Sequence, residues 1–103
     1  MTKHNLTTFG QFIRQLRESS NLPLRKVAAE LDIDQSQLAK IERDERQPSK
    51  YIIKRIAGFF KQNEQQLTIT YLSDIIAYQI MDEEDGIEIL KIAEQKLKYH
   101  KQK

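Results

Sequence analysis

Cysteine and tryptophan are absent from the 103-residue sequence. Without cysteine there can be no disulfides, thiolate metal sites or cysteine nucleophiles, which fits a protein of the reducing cytoplasm. Only three glycines and two prolines interrupt the chain. No Gly-rich phosphate loop, nucleophile elbow or pair of catalytic carboxylates can be found. His4 and His100 lie at opposite ends with no partner pattern, so neither is a credible catalytic base. Apolar runs stop at four residues, too short for a membrane span, and the polar first eight residues do not read as a secretory signal. An enzyme, a cofactor, a metal and a membrane partner are therefore all not expected.

What is present is the composition of a soluble globular chain: 39% apolar, 31% charged and 8% aromatic residues. Residues 1–103 read as one domain whose core is thin, because a chain of this length buries only roughly 60 to 70% of its unfolded surface. Sharing that burial in a homodimer would help. The net charge of +2 hides a division. Met1 to Gln62 carries twelve Lys and Arg against seven Asp and Glu, whereas Asn63 to Lys103 carries five against eight. A basic front half suits a polyanion partner, and an unevenly salt-bridged surface is the plainer alternative.

No stretch alternates β-branched with polar residues over strand length, so the expected fold is all-α. Thr8 and Gln11 have capping-box spacing ahead of Phe9, Phe12, Ile13 and Leu16, which share a helix face reaching about Ser20. Pro23 suits the beginning of a short second helix with Val27, Ala28 and Leu31 inward. Asp34 caps a third helix from Gln35 to about Arg43, with Leu38 and Ile41 inward. Ser49 caps a fourth that carries Ile52, Ile53, Ile56, Ala57 and Phe60. Asn63 opens a long fifth helix, and a sixth runs from about Ile87 to Tyr99. Between the last two lie Asp82-Glu83-Glu84-Asp85 and Gly86; these acids read more simply as loop solvation and helix-start charge than as a cation site.

The informative segment runs from Leu22 to Arg43. With Leu31, Ile33, Leu38 and Ile41 buried and Ala28 small enough to sit where two helices cross, the third helix turns Gln35, Ser36, Gln37, Lys40 and Arg43 outward. Amides, hydroxyls and cations are the groups that read base edges in a major groove and grip phosphates. An ordinary solvated helix face has a similar composition.

From Phe9 to Phe60 the chain resembles the lambda-repressor-like helix-turn-helix regulators, which include Cro, phage repressors and the controllers of restriction-modification operons. The likeness extends in register from Ile13-Arg14-x-x-Arg17 to Ile41-Glu42-Arg43-x-x-Arg46-x-Pro48-Ser49. It implies a bundle of about five helices, here with an additional C-terminal one, whose DNA-binding core is residues 8–62. Residues 63–103 would then be a helical dimerisation extension. At matching positions the resemblance implies base contacts from Gln35, Ser36, Gln37 and Lys40, phosphate contact from Arg43 and Arg46, and a structural salt bridge between Arg17 and Glu42. Leu24 and Pro23 depart from the usual glutamine and its capping hydroxyl residue, which shifts the expected phosphate anchoring to Arg25, Lys26 or free backbone N–H groups. Asp32 and Asp44 stand where glycine is frequent; aspartate tolerates the left-handed conformation better than most residues.

The fifth helix carries more apolar residues than a small core can cover, since Ile69, Tyr71, Leu72, Ile75, Ile76, Tyr78 and Ile80 spread over more than one narrow stripe. The sixth is expected to cover part of these through Ile89, Leu90, Ala93 and Leu97, with Ile87 and Ile92 flanking. A second subunit would cover the rest around Ile69, Leu72, Ile76 and Ile80. Tyr71, Tyr78 and Tyr99 fit core or interface packing better than stacking on bases. Two function classes follow: a repressor-like transcriptional regulator that binds double-stranded DNA as a homodimer on an inverted-repeat operator, or an antitoxin-like interaction module whose C-terminal helices bind a partner protein.

Overall fold

Residues 6–102 are described by a computed structural model, and among them the chain forms six α-helices and no strand. Helix α1 (Phe9–Ser19) starts with a reciprocal pair of bonds: Gln11 N–H donates to Thr8 Oγ1 at 3.2 Å, and Thr8 N–H donates to Gln11 Oε1 at 3.0 Å. Two orphan donors of the first turn are thereby satisfied, as the Thr–Gln spacing predicts. Helix α2 (Leu24–Leu31) begins one residue after Pro23, whose ring sits in extended backbone at φ −75°. Helices α4 (Lys50–Phe60) and α5 (Glu64–Ile80) are capped as expected by Ser49 Oγ, which accepts from Ile52 N–H, and Asn63 Oδ1, which accepts from Gln66 N–H. Asp34 takes the N-cap position of α3 (Gln35–Glu42), but its side chain makes no capping bond, which corrects the sequence reading. Helix α6 (Gly86–Lys101) begins one residue earlier and ends two later than its apolar pattern suggests.

Helices α1 to α4 and the first turns of α5 enclose the core, with Ile13, Val27, Leu31, Leu38, Ile41, Ile53 and Ile56 each at most 1% exposed. At about 1.5 to 3 kcal/mol for each large aliphatic side chain removed from water, these seven form the main cohesive group. The packed pairs are α1 on α3, α2 on α3 and α4, and α5 on α1 and α4.

Gly10 decides how closely α1 meets α3. A Cβ there would run into the carbonyl oxygen of Ile41 and lie 2.7 Å from both Asp44 Oδ1 and the Glu42 carbonyl oxygen. The two backbones approach because that Cβ is missing. Asp44 then ties the junction. It adopts the left-handed region at φ 61°, accepts the Thr8 hydroxyl at 2.6 Å through Oδ2, and accepts Gly10 N–H at 3.0 Å through Oδ1. From α5, Asp74 Oδ2 accepts Phe9 N–H at 2.7 Å. Two carboxylates distant in sequence thus hold the positive end of α1. Tyr71 packs edge-on to Phe9, and burial pushes its phenol above the ordinary tyrosine value.

One expectation is overturned. Helix α6 buries none of its residues, so Ile89, Leu90, Ala93 and Leu97 do not cover α5 of their own chain. The segment Met81–Asp85 that precedes α6 is itself exposed and contributes nothing to the core. The radius of gyration, 15.7 Å, exceeds the ~13 Å of a compact chain of about 100 residues. Along α5, Leu67 is the one buried residue; Ile69, Leu72 and Ile76 are 44 to 48% exposed and Ile80 is half-buried beside Gly86.

Candidate nucleic-acid interface

Asp32 makes the turn between α2 and α3. At φ 58° it is left-handed, which turns its own N–H to the Ala29 carbonyl (3.1 Å) and that of Ile33 to the Ala28 carbonyl (3.0 Å). The last carbonyls of α2 are satisfied this way, although glycine is the usual residue at such a position. Ala28 is buried at the helix junction and Ile33 packs against the core. Leu38 and Ile41 then lock one face of α3 inward. Gln35, Ser36 and Lys40 are left exposed on the outer side. Gln37 is half-buried and lines a shallow cleft with Asp32 and Asp34.

Behind α3, Arg17 and Glu42 meet as the resemblance implies. Arg17 Nε donates to Glu42 Oε2 at 2.7 Å and Nη2 to Oε1 at 3.0 Å, while Nη1 donates to the Leu22 carbonyl at 3.0 Å. The side chains are only 12% and 4% exposed. Hydrogen bonding to the Glu42 carboxylate holds the guanidinium above its usual pKa, against the opposing effect of burial. This pair joins α1, α3 and the α1–α2 loop, and leaves neither charge available for a ligand.

The other cations are differently placed. Arg25 and Lys26 are exposed on the first turn of α2, an N-terminus without a side-chain cap. Arg43 is exposed but already engaged: Nε and Nη2 donate to the two carboxylate oxygens of Glu45 at 2.9 and 3.1 Å. That fork pulls the Glu45 carboxyl below the ordinary range and raises the Arg43 guanidinium. Arg46 lies apart from the α3 face, lining a groove of about 420 Å³ with Phe9, Tyr71, Asp74 and Tyr78.

Several supporting residues were not singled out by sequence reasoning. Arg55 of α4 donates to the Glu30 carbonyl at 3.0 Å and to the Tyr51 hydroxyl at 2.6 Å, tying α4 to the end of α2. Gly10 gave one local signal, a glycine inside an amphipathic helix, which often marks a close approach. Asp74 and Arg55 gave none. Among the described residues no three His, Asp or Glu side chains gather as a metal site, and no helix is long and apolar enough to cross a membrane. His4 lies outside the described residues.

The family model for helix-turn-helix domains matches residues 13–67, just over half of the 103-residue chain. No curated protein and no solved structure gave a match.

Proposed function

The chain belongs to the helix-turn-helix family in its Cro/C1-type, lambda-repressor-like form, with residues 13–67 as its DNA-binding domain, and from that premise we propose a transcriptional regulator that binds an inverted-repeat operator as a homodimer. The observation that carries this reading is the division of α3 into a locked inner face and an outer face of Gln35, Ser36 and Lys40. A side chain that must meet one base edge gains from a helix that cannot rotate. Lys40 donates to acceptors such as guanine O6 and N7, whereas the Gln35 amide has both a donor and an acceptor for adenine. Gln37 joins the readout by turning out of its cleft. Arg25, Lys26, Arg43 and Arg46 grip phosphates, Arg43 by exchanging Glu45 for a phosphate oxygen.

Dimerisation through Ile69, Leu72, Ile76 and Ile80 would hide apolar surface that a single chain leaves open. The two recognition helices would then lie about one DNA turn, roughly 34 Å, apart. The same uncovered helices support the second reading, an interaction module that grips a partner protein; it differs in leaving the free chain monomeric.

Selection of bound sites from random duplexes tests the proposal. The expected product is an inverted repeat with half-site centres one turn apart. Enrichment of isolated half-sites contradicts the dimer, and no enrichment contradicts sequence-specific binding.

A further inference from the structure

Helix α6 carries a pattern that a single chain leaves unused. Ile89, Ala93 and Leu97 recur every four residues along one face with Leu90 beside them, and every one is exposed. A helix of this length without tertiary cover is marginal in water. Its two ends differ in charge: Asp82, Glu83, Glu84 and Asp85 precede it, and Lys96, Lys98 and Lys101 occupy its last turns. At a rise of 1.5 Å per residue the two ends stand about 24 Å apart, so the lysines do not reach the acidic segment of their own chain.

We infer that α6 pairs antiparallel with α6 of a second copy of this chain, laying the lysine-rich end of each helix against the acidic segment 82–85 of the other. The inference rests on the dimer reading above and adds to its α5 contact a second one, between the two α6 helices, and the direction in which they run. Charge decides the direction, since a parallel pair would set lysines beside lysines and acids beside acids. Setting Lys98 and Lys101 beside Asp85 and Asp82 of the second copy brings Leu90 of each helix level with Ala93 of the other, whose small side chain allows the two helices to approach closely. The pairing is self-complementary, as a two-fold interface requires. It holds the two DNA-binding cores together through a contact that salt weakens.

Sedimentation of full-length charge variants tests this pairing. One carries Lys96→Glu, Lys98→Glu and Lys101→Glu; the other carries Asp82→Lys, Glu83→Lys and Glu84→Lys. All six positions are exposed, so the core is untouched and circular dichroism should report folded chains. Each variant alone is expected to dimerise about tenfold more weakly than the wild type, and an equimolar mixture to recover wild-type affinity as a heterodimer. Variants that each dimerise like the wild type would overturn the α6 pairing and leave a dimer through α5 standing. A wild-type chain that stays monomeric at tens of micromolar would overturn both.

Discussion

Replacing Gly10 by alanine should destabilise the protein, although alanine is the better helix former. On an open helix the exchange gains up to about 1 kcal/mol. At Gly10 the added methyl group meets the Ile41 carbonyl and comes within 2.7 Å of Asp44 Oδ1 and the Glu42 carbonyl, and two of those three neighbours are backbone. Forcing a methyl group into a filled contact costs about 1 to 3 kcal/mol. Moving α1 away from α3 also stretches the 3.0 Å bond from Gly10 N–H to Asp44, a charged acceptor whose bonds contribute about 1.5 to 3 kcal/mol. The net loss should be about 2 to 4 kcal/mol, and even 2 kcal/mol lowers the Tm of a domain this size by roughly 8 to 16 °C. Gly58 is the internal control. It is exposed on α4 with nothing within 4 Å of a built Cβ, so Gly58→Ala should stabilise by about 0.5 to 1 kcal/mol. Urea unfolding followed by circular dichroism reads both. A Gly10→Ala protein as stable as the wild type would show that α1 and α3 do not meet at this point.

Two further outcomes are expected. Glu42→Ala leaves the Arg17 guanidinium in a largely buried site without its carboxylate, so it should cost about 3 kcal/mol; Arg17→Ala should cost a similar amount, and the double variant less than their sum. Strict additivity in urea unfolding would mean that the two side chains do not interact. Glu45→Gln removes a negative charge beside DNA and releases Arg43 from its fork, so it should tighten binding several-fold on cognate and scrambled duplexes alike. Unchanged affinity would exclude Arg43 from phosphate contact.

The parts of this fold that were legible in the sequence are those fixed within one helical turn. Thr8 with Gln11, Ser49 and Asn63 each cap a donor three residues away, and the inward faces of α1 to α4 follow the 3.6-residue period. Arg17 and Glu42 lie 25 residues apart and were legible through the family resemblance alone. Asp74 and Phe9, 65 residues apart, match no local pattern. Asp32 and Asp44 were expected to keep glycine-like turns and do so at φ 58° and 61°, while Asn21 and Lys61 adopt the same region without having been singled out. The expected cover of α5 by α6 failed for a different reason. An apolar stripe shows that a face needs burial, and carries no information about which chain supplies it.

The central claim is that the outer face of α3 reads DNA sequence, and titration of Lys40→Ala against Arg43→Ala tests it most directly. Binding would be measured by fluorescence anisotropy on the selected duplex and a scrambled one at several salt concentrations. Lys40→Ala should lose about 1 to 3 kcal/mol per half-site on the selected duplex, with preference relaxed at one position of each half-site and little change on the scrambled one. Arg43→Ala should weaken both alike and flatten the salt dependence. A Lys40→Ala protein that keeps full preference for the selected duplex would contradict the assignment of this residue to base readout.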